Sequence, residues 1–381
     1  MQRPEGINES APINKSFFFV PLESVKKEET MKKMGSYKYL VSVLFVLLIS
    51  SIAMTPVLGQ MQDPKVFIYK TGDESHPLKL LELLKERDTL IEEYKNSEGV
   101  KGVGIGGGDP MLPENATVMA YGFTFDENGV SHQMIAISGG EPDPVQIHQR
   151  ADQWYNENIL NSNINIADSV SDGLNALTDL GWSEVGADEG YYWVKPYGLV
   201  EHNWRMYRNT DETNPTKDYF AIRQMFTMDP GFRRWRDEGN KWVNERGLAY
   251  TDWDQINTFG NPALHDRDPL GTQTGPSTIS VGLAPSPSLS WSFPLNAVTI
   301  YDQSDPVTKR AQWDFAFNLP EVLTTIQGWE PGSSASMDQH SSGFYYLAYL
   351  DVQGKFIDPT TWPNYQWVII GYYWNTWFEY W

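Results

Sequence analysis

From residue 186 onward the chain is a succession of short apolar and aromatic runs divided by clusters of Pro, Gly, Asn and Asp. Trp313, Phe315 and Phe317 alternate with Asp314 and Ala316, the two-residue period of a strand with one buried face. Phe220, Ile222, Phe226 and Met228 share a face in the same way. Similar runs cover 191–194, 200–207, 278–283, 289–293, 298–301, 344–350 and 367–374. Many short strands separated by turn residues predict a sandwich or barrel, and we read residues 186–381 as an aromatic-rich antiparallel β-sandwich. No repeat of 20–50 residues is present, which argues against a propeller or solenoid. All 15 tryptophans follow residue 150, and cysteine is absent. Disulfides, Cys-ligated zinc, iron–sulfur clusters and thiol nucleophiles are therefore excluded. Aromatic packing has to hold the fold, each buried ring removing roughly 150–250 Å² from water.

Residues 60–185 read as a small α/β region. Ser75 and Pro77 suggest a helix start, with Leu80, Leu83, Leu84, Leu90, Ile91 and Tyr94 on one face and a stop at Asn96–Gly99. A strand is expected over 100–105, followed by turn material at 109–113. Runs 118–125 and 130–138 flank Asp126-Glu-Asn-Gly129, a hairpin signal. Asp143 and Pro144 open a second helix carrying Ile147, Ala151 and Trp154, and Asp168 caps a third. The fold class is thus mainly β, a sandwich preceded by this α/β region.

Lys32, Lys33 and Lys38 precede the apolar run 39–54, and Val57 and Gly59 stand at the small-residue positions before a cut. That layout is a secretory signal over 31–59 with Gln60 as the new first residue; an uncleaved anchor is the alternative. Residues 1–30 fit no signal layout and are read as a spurious or disordered leader, Met31 or Met34 being the more natural start. The expected location is secreted or at the cell surface, and the chain is not an integral membrane protein if the signal is cleaved. The formal net charge of −20 repels nucleic acid and anionic lipid.

Candidate sites are few. Gly102–Gly108 has the glycines of a phosphate loop but neither its lysine nor a following helix. A glycine-rich strand end is the better reading. His76, His132, His148, His202, His265 and His340 form no zinc-ligand spacing. Asp266, Asp268, Asp302 and Asp305 could contribute to a calcium site, although the loop lacks the EF-hand pattern; no other cofactor is implied. Phe232-Arg-Arg-Trp-Arg236 with Lys241 and Trp242 is the one basic-aromatic cluster of the acidic half. Arg233, Arg234, Trp235, Arg236 and Trp242 suit a phosphate headgroup or sugar acid, or the arginines pair with neighbouring acids. The run 365–381 is apolar on both strand faces. It is either covered on both sides or an aromatic platform for glycan or lipid. Asn115-Ala-Thr117 is a glycosylation sequon.

The stretch 278–293, then Val298–Tyr301 and Ala311–Asn318, resembles the leukocidin/hemolysin family of β-barrel pore-forming toxins. Leu319-Pro320, Gly328-Trp-Glu-Pro331 and Tyr372–Trp377 extend the resemblance over roughly 200–381. The resemblance implies a β-sandwich with a membrane-inserting stem and a lipid-engaging rim. Here the stem is reduced to Leu283-Ala-Pro-Ser-Pro-Ser-Leu289, and the rim insertion after Asn318 is missing. A membrane-crossing strand needs about 9–11 residues, which the flanking runs lack. The expected function is therefore a secreted or surface-associated, non-catalytic binding or structural protein. Its unknown extracellular ligand would be a glycan, a lipid headgroup or a protein. A pore former inserting another hairpin, for example from 239–276, and a glycan-active enzyme or glycan binder are the alternatives.

Overall fold

The computed structural model describes residues 67–73, 75–97, 104–140, 143–160, 181–211, 214–274, 277–283, 289–295, 298–317 and 320–380. All fall in one unit, Asp63–Trp381. The expected leader, the signal segment, the helix from Asp168, the 284–288 loop and Asn318–Leu319 lie outside the described residues.

The chain is mainly β. Nine strands form the first sheet: β1 (Phe67–Thr71), β3 (Ala116–Phe125), β4 (Ser131–Gly139), β5 (Trp182–Val194), β6 (Gly198–Asn209), β7 (Lys217–Pro230), β16 (Gly332–Asp338) and β9 (Ala263–Asp268), in that order, with β15 (Gln327–Trp329) also on β7. The second sheet runs β10 (Thr272–Gln273), β13 (Val298–Asp302), β14 (Arg310–Phe317), β8 (Val243–Asp252), β17 (Gly343–Asp358), β18 (Gln366–Tyr380) and β2 (Ile105–Met111). β11 (Ser277–Leu283) and β12 (Leu289–Leu295) make a separate two-stranded ribbon. Among the described residues only β4 and β5 pair in parallel. A parallel pair needs a long crossover, and α2 (Pro144–Tyr155) lies within it. Strands from both sides of residue 185 enter both sheets, with β4 beside β5 and β2 beside β18.

One core lies between the sheets. Trp204 meets Trp374 at 6.0 Å, Phe220 meets Phe378 at 5.3 Å, and Phe226 meets Phe315 at 6.2 Å. The outer face of β3–β6 forms a second core under α2, built from Met119, Met134, Trp154, Tyr191 and Trp193. Asp143 accepts from Gln146 N at 3.3 Å and Pro144 begins the first turn of α2, as expected. The hairpin also holds: Gly129 has φ 83, and Asp126 Oδ1 accepts from Asn128 N and Val130 N at 2.8 and 2.9 Å.

Three expectations change. α1 (Leu80–Lys95) starts later than Ser75. Asp73 Oδ1 accepts from Ser75 N, Ser75 Oγ and His76 N, which closes a separate turn, and Leu78 then bridges to Val118. Asp109-Pro-Met111, expected as turn, continues β2 beside β18. The 239–276 stretch is no spare hairpin, because β8 lies between β14 and β17 and β9 edges the first sheet. From Ile105 the glycine run is a strand, and Gly107 and Gly108 serve close packing. A Cβ on Gly108 would lie 2.7 Å from Trp204 Cζ2 and 2.9 Å from Trp374 Cε3; one on Gly107 would lie 2.6 Å from Trp377 Cζ2.

His202 is completely buried on the inner face of β6, and burial pushes its pKa from 6.5 down to about 3. The unfolded chain takes up that proton near pH 6.5 while the folded chain refuses it. This contribution to stability is therefore present above 6.5 and lost as pH falls toward 3, amounting to about 2 kcal/mol at pH 5. His202→Gln is expected to flatten that part of the pH dependence in urea denaturation at pH 5 and 7. Parallel wild-type and variant profiles would refute it.

Candidate functional site

β17 and β18 stay paired from Gly343 with Tyr380 to Asp358 with Gln366, apart from a bulge near Leu347. Phe356 and Ile370 point into the core and are buried. Alternation turns Lys355, Ile357, Trp367 and Ile369 to the other face, where Lys355 pairs with Ile369 and Ile357 with Trp367. Among the described residues nothing covers that face near the turn. Trp362 is 73% exposed, Trp367 60%, Ile369 50% and Tyr365 41%. The run expected to be covered on both sides is therefore open over 365–369, and buried on its inner side only from Ile370 onward.

Asp358 and the two threonines of the turn bond one another, while Asn364, Tyr365 and Gln366 are exposed. Asp358 Oδ1 accepts from Thr360 N at 2.9 Å and Thr360 Oγ1 at 2.6 Å. Thr361 Oγ1 donates to Asp358 O and accepts from Gln366 N, both at 2.9 Å. Trp362 and Tyr365 lean together at 5.4 Å, and Lys355 Nζ stands 5.4 Å over the Trp367 ring. Ile357 also pairs with Val243, so the basic-aromatic segment before β8 reaches the same end of the sheet. There Trp242 stands edge-on to Tyr197 at 4.6 Å, and Arg236 lies 5.6 Å over Phe232.

The structure distributes the remaining members of that segment differently. Arg233 grips Asp229 through Nε and Nη2 at 2.7 and 2.6 Å, and Arg234 Nη2 reaches the same carboxylate at 2.7 Å. Arg234 also bonds Gln146 on α2, and Trp235 is buried. These arginines fasten α3 (Gly231–Arg234) to the outer face of β7. Next to them Arg150 lies 4.7 Å over the Tyr191 ring, and burial raises the Glu201 carboxyl while Arg150 and Arg234 oppose that shift. Acids and arginines alternate here as an internal ion-pair network joining two helices to the sheet.

Other candidates separate. Asp302 accepts from Ser304 N at 3.0 Å and Gly271 N at 3.3 Å, while Asp305 accepts from Val307 N at 2.9 Å. Among the described residues no group of three or more His, Asp or Glu could hold a metal. His265 Nε2 is 2.7 Å from Ser336 Oγ, but Ser336 lies in a strand laddered on both sides by β7 and β9. Asn115, with φ 67, sits exposed in the turn before β3. Among the described residues no helix is long and apolar enough to cross a membrane, which leaves strands unaddressed.

No family model and no curated protein matches the chain. Among solved structures, the NetB toxin of Clostridium perfringens in its membrane-inserted form is similar over 48% of this chain and 91% of its own, at 7% identity and a TM-score of 0.24. A superposition that loose is a weak, partial resemblance and carries no argument about activity.

Proposed function

We propose that this protein is a non-catalytic, exported binding protein that docks on the headgroup layer of a membrane through its aromatic end. The observation that carries the reading is the open apolar and aromatic surface of Trp362, Tyr365, Trp367 and Ile369. Indole and phenol rings suit the boundary between water and lipid. An exposed isoleucine beside two tryptophans favours a lipid boundary over a sugar. The acidic net charge favours a zwitterionic over an anionic surface. The basic, apolar 31–59 segment supports export.

Sedimentation of the protein with phosphatidylcholine vesicles tests this. Each tryptophan that leaves water contributes about 1.5–3 kcal/mol, so Trp362→Ala/Trp367→Ala is expected to weaken binding by at least about 100-fold. Undiminished binding by the double variant, or glycan binding without vesicle binding, overturns the reading.

Docking is expected without perforation. β11 and β12 have seven residues each, short of the roughly 9–11 that a crossing strand requires. Leu289 and Phe293 are buried, and Trp291 Nε1 donates to Glu330 O at 2.7 Å, which holds the ribbon against the protein. Vesicles loaded with calcein should keep their dye when the protein is bound. Dye release with ring-shaped oligomers would restore the pore-forming alternative.

A further inference from the structure

Asp188 on β5 is one carboxylate too many in a buried cluster. It is 1% exposed and stands beside Trp204 on the inner face of the first sheet. The cation at hand, Arg87, has five N–H groups, and all are engaged elsewhere. Nε and Nη2 donate to Asp88 at 3.1 and 2.8 Å, and Nη2 donates again to Asp109 at 2.8 Å. Nη1 donates to Gly108 O at 3.1 Å and Gln133 Oε1 at 3.3 Å. Gln133 Nε2 divides between Gly108 O at 2.8 Å and Asp188 Oδ2 at 3.3 Å, and the Gly108 backbone also bonds the Asp188 carboxyl. Asp188 Oδ1 has no hydrogen-bond partner among the described residues.

Three carboxylates thus share one guanidinium. Asp88 is exposed and Asp109 half-buried, so both can reach water, whereas Asp188 has only the protein. Burial raises the Asp188 carboxyl well above its ordinary range; Arg87 opposes the shift, and Asp109 and Glu189 add to it. The other titratable groups nearby are uncharged at neutral pH, because burial lowers His202 on β6 and raises Tyr121 on β3 and Tyr372 on β18. An ion without a donor is costly in such a place, and a neutral acid is not. A Cβ on Gly108 would lie 2.8 Å from Asp188 Oδ2, so β2 is laid directly on the carboxyl. Displacing β2 would open the group to water.

We propose that Asp188 is carried as the neutral acid at neutral pH and that this proton fastens β2 against β4 and β5. The device does not rest on membrane docking. A raised carboxyl contributes its full stability below about pH 4 and progressively less as pH climbs toward its folded value, so the β2 edge is tightest in acid. Opening β2 lets the proton go, and its opening constant should rise about tenfold per pH unit from pH 5 to 7. Hydrogen exchange of the Gly106 and Gly108 amides in the full chain, corrected for the intrinsic rate, reads that constant. Asp188→Asn should abolish the rise. In urea denaturation this variant should be more stable than the wild type at pH 7, its advantage growing by about tenfold per pH unit in the unfolding constant. The infrared difference between wild type and variant at pH 7 should contain the carbonyl stretch of a protonated carboxyl. Protection that does not change with pH, parallel urea profiles or an absent band each overturn the proposal. So does an Asp188→Asn protein that is less stable than the wild type at pH 7 or fails to fold.

Discussion

Replacing Arg87 by methionine is expected to lower the unfolding free energy by about 3–5 kcal/mol at neutral pH, as removal of one partner from a buried ion pair does. Arg87 lies on α1 yet is 4% exposed. Its Nη1 donates to Gly108 O at 3.1 Å and Gln133 Oε1 at 3.3 Å; its Nη2 donates to Asp109 Oδ1 and Asp88 Oδ1, both at 2.8 Å. The guanidinium also lies 5.3 Å over Trp377. One side chain thereby ties a helix to β2, β4 and β18, and so to both sheets. Arg87→Lys should recover little, because an ammonium cannot reproduce the forked geometry. Adding Asp109→Asn to the methionine variant should restore part of the loss by discharging the abandoned carboxylate. Urea denaturation measures all three, and a loss under about 1 kcal/mol for the methionine variant would refute the role.

The second large effect is expected at Trp154, the buried anchor of α2. Trp154→Ala should cost about 3–5 kcal/mol. Its ring lies on bare backbone at Gly122, where an added Cβ would stand 2.6 Å from Trp154 Cε3 and 2.7 Å from Cη2. Gly122→Ala should therefore destabilise by about 1–3 kcal/mol through overpacking. In the Trp154→Ala background the same methyl group should cost almost nothing, because the ring it strikes is gone. Strict additivity in the double-mutant cycle would show that the two positions are not coupled.

Much of the sandwich was legible because its strands carry aromatic alternation. Trp313, Phe315 and Phe317 announce β14, and each is at least partly withdrawn from solvent. β16 was not legible. Its Gly-Ser-Ser-Ala-Ser-Met-Asp sequence has almost no apolar signal, and it is buried because large neighbours lie over it, Trp253 Nε1 donating to Ser333 Oγ at 3.0 Å. The parallel partnership of β4 and β5 was equally hidden, since nothing local encodes which strand a crossover returns to. At the candidate site composition was legible and exposure was not. Trp367 and Trp374 belong to one run and one strand, yet one is 60% exposed and the other 0%. The difference is which face each residue's parity selects and whether the opposite sheet covers it.

The pairing of β2 with β18 dictates when the protein can finish folding during its own manufacture. Lys95 meets Glu379 at 2.8 Å across 284 positions of sequence, and β2 finds its hydrogen-bonding partner in β18, made much later. At synthesis rates of roughly 5–20 residues per second, the early segment waits on the order of 15–60 s for its mate. Closing this sheet edge is therefore a late, non-local step of folding, and apolar surface stays exposed until it is complete.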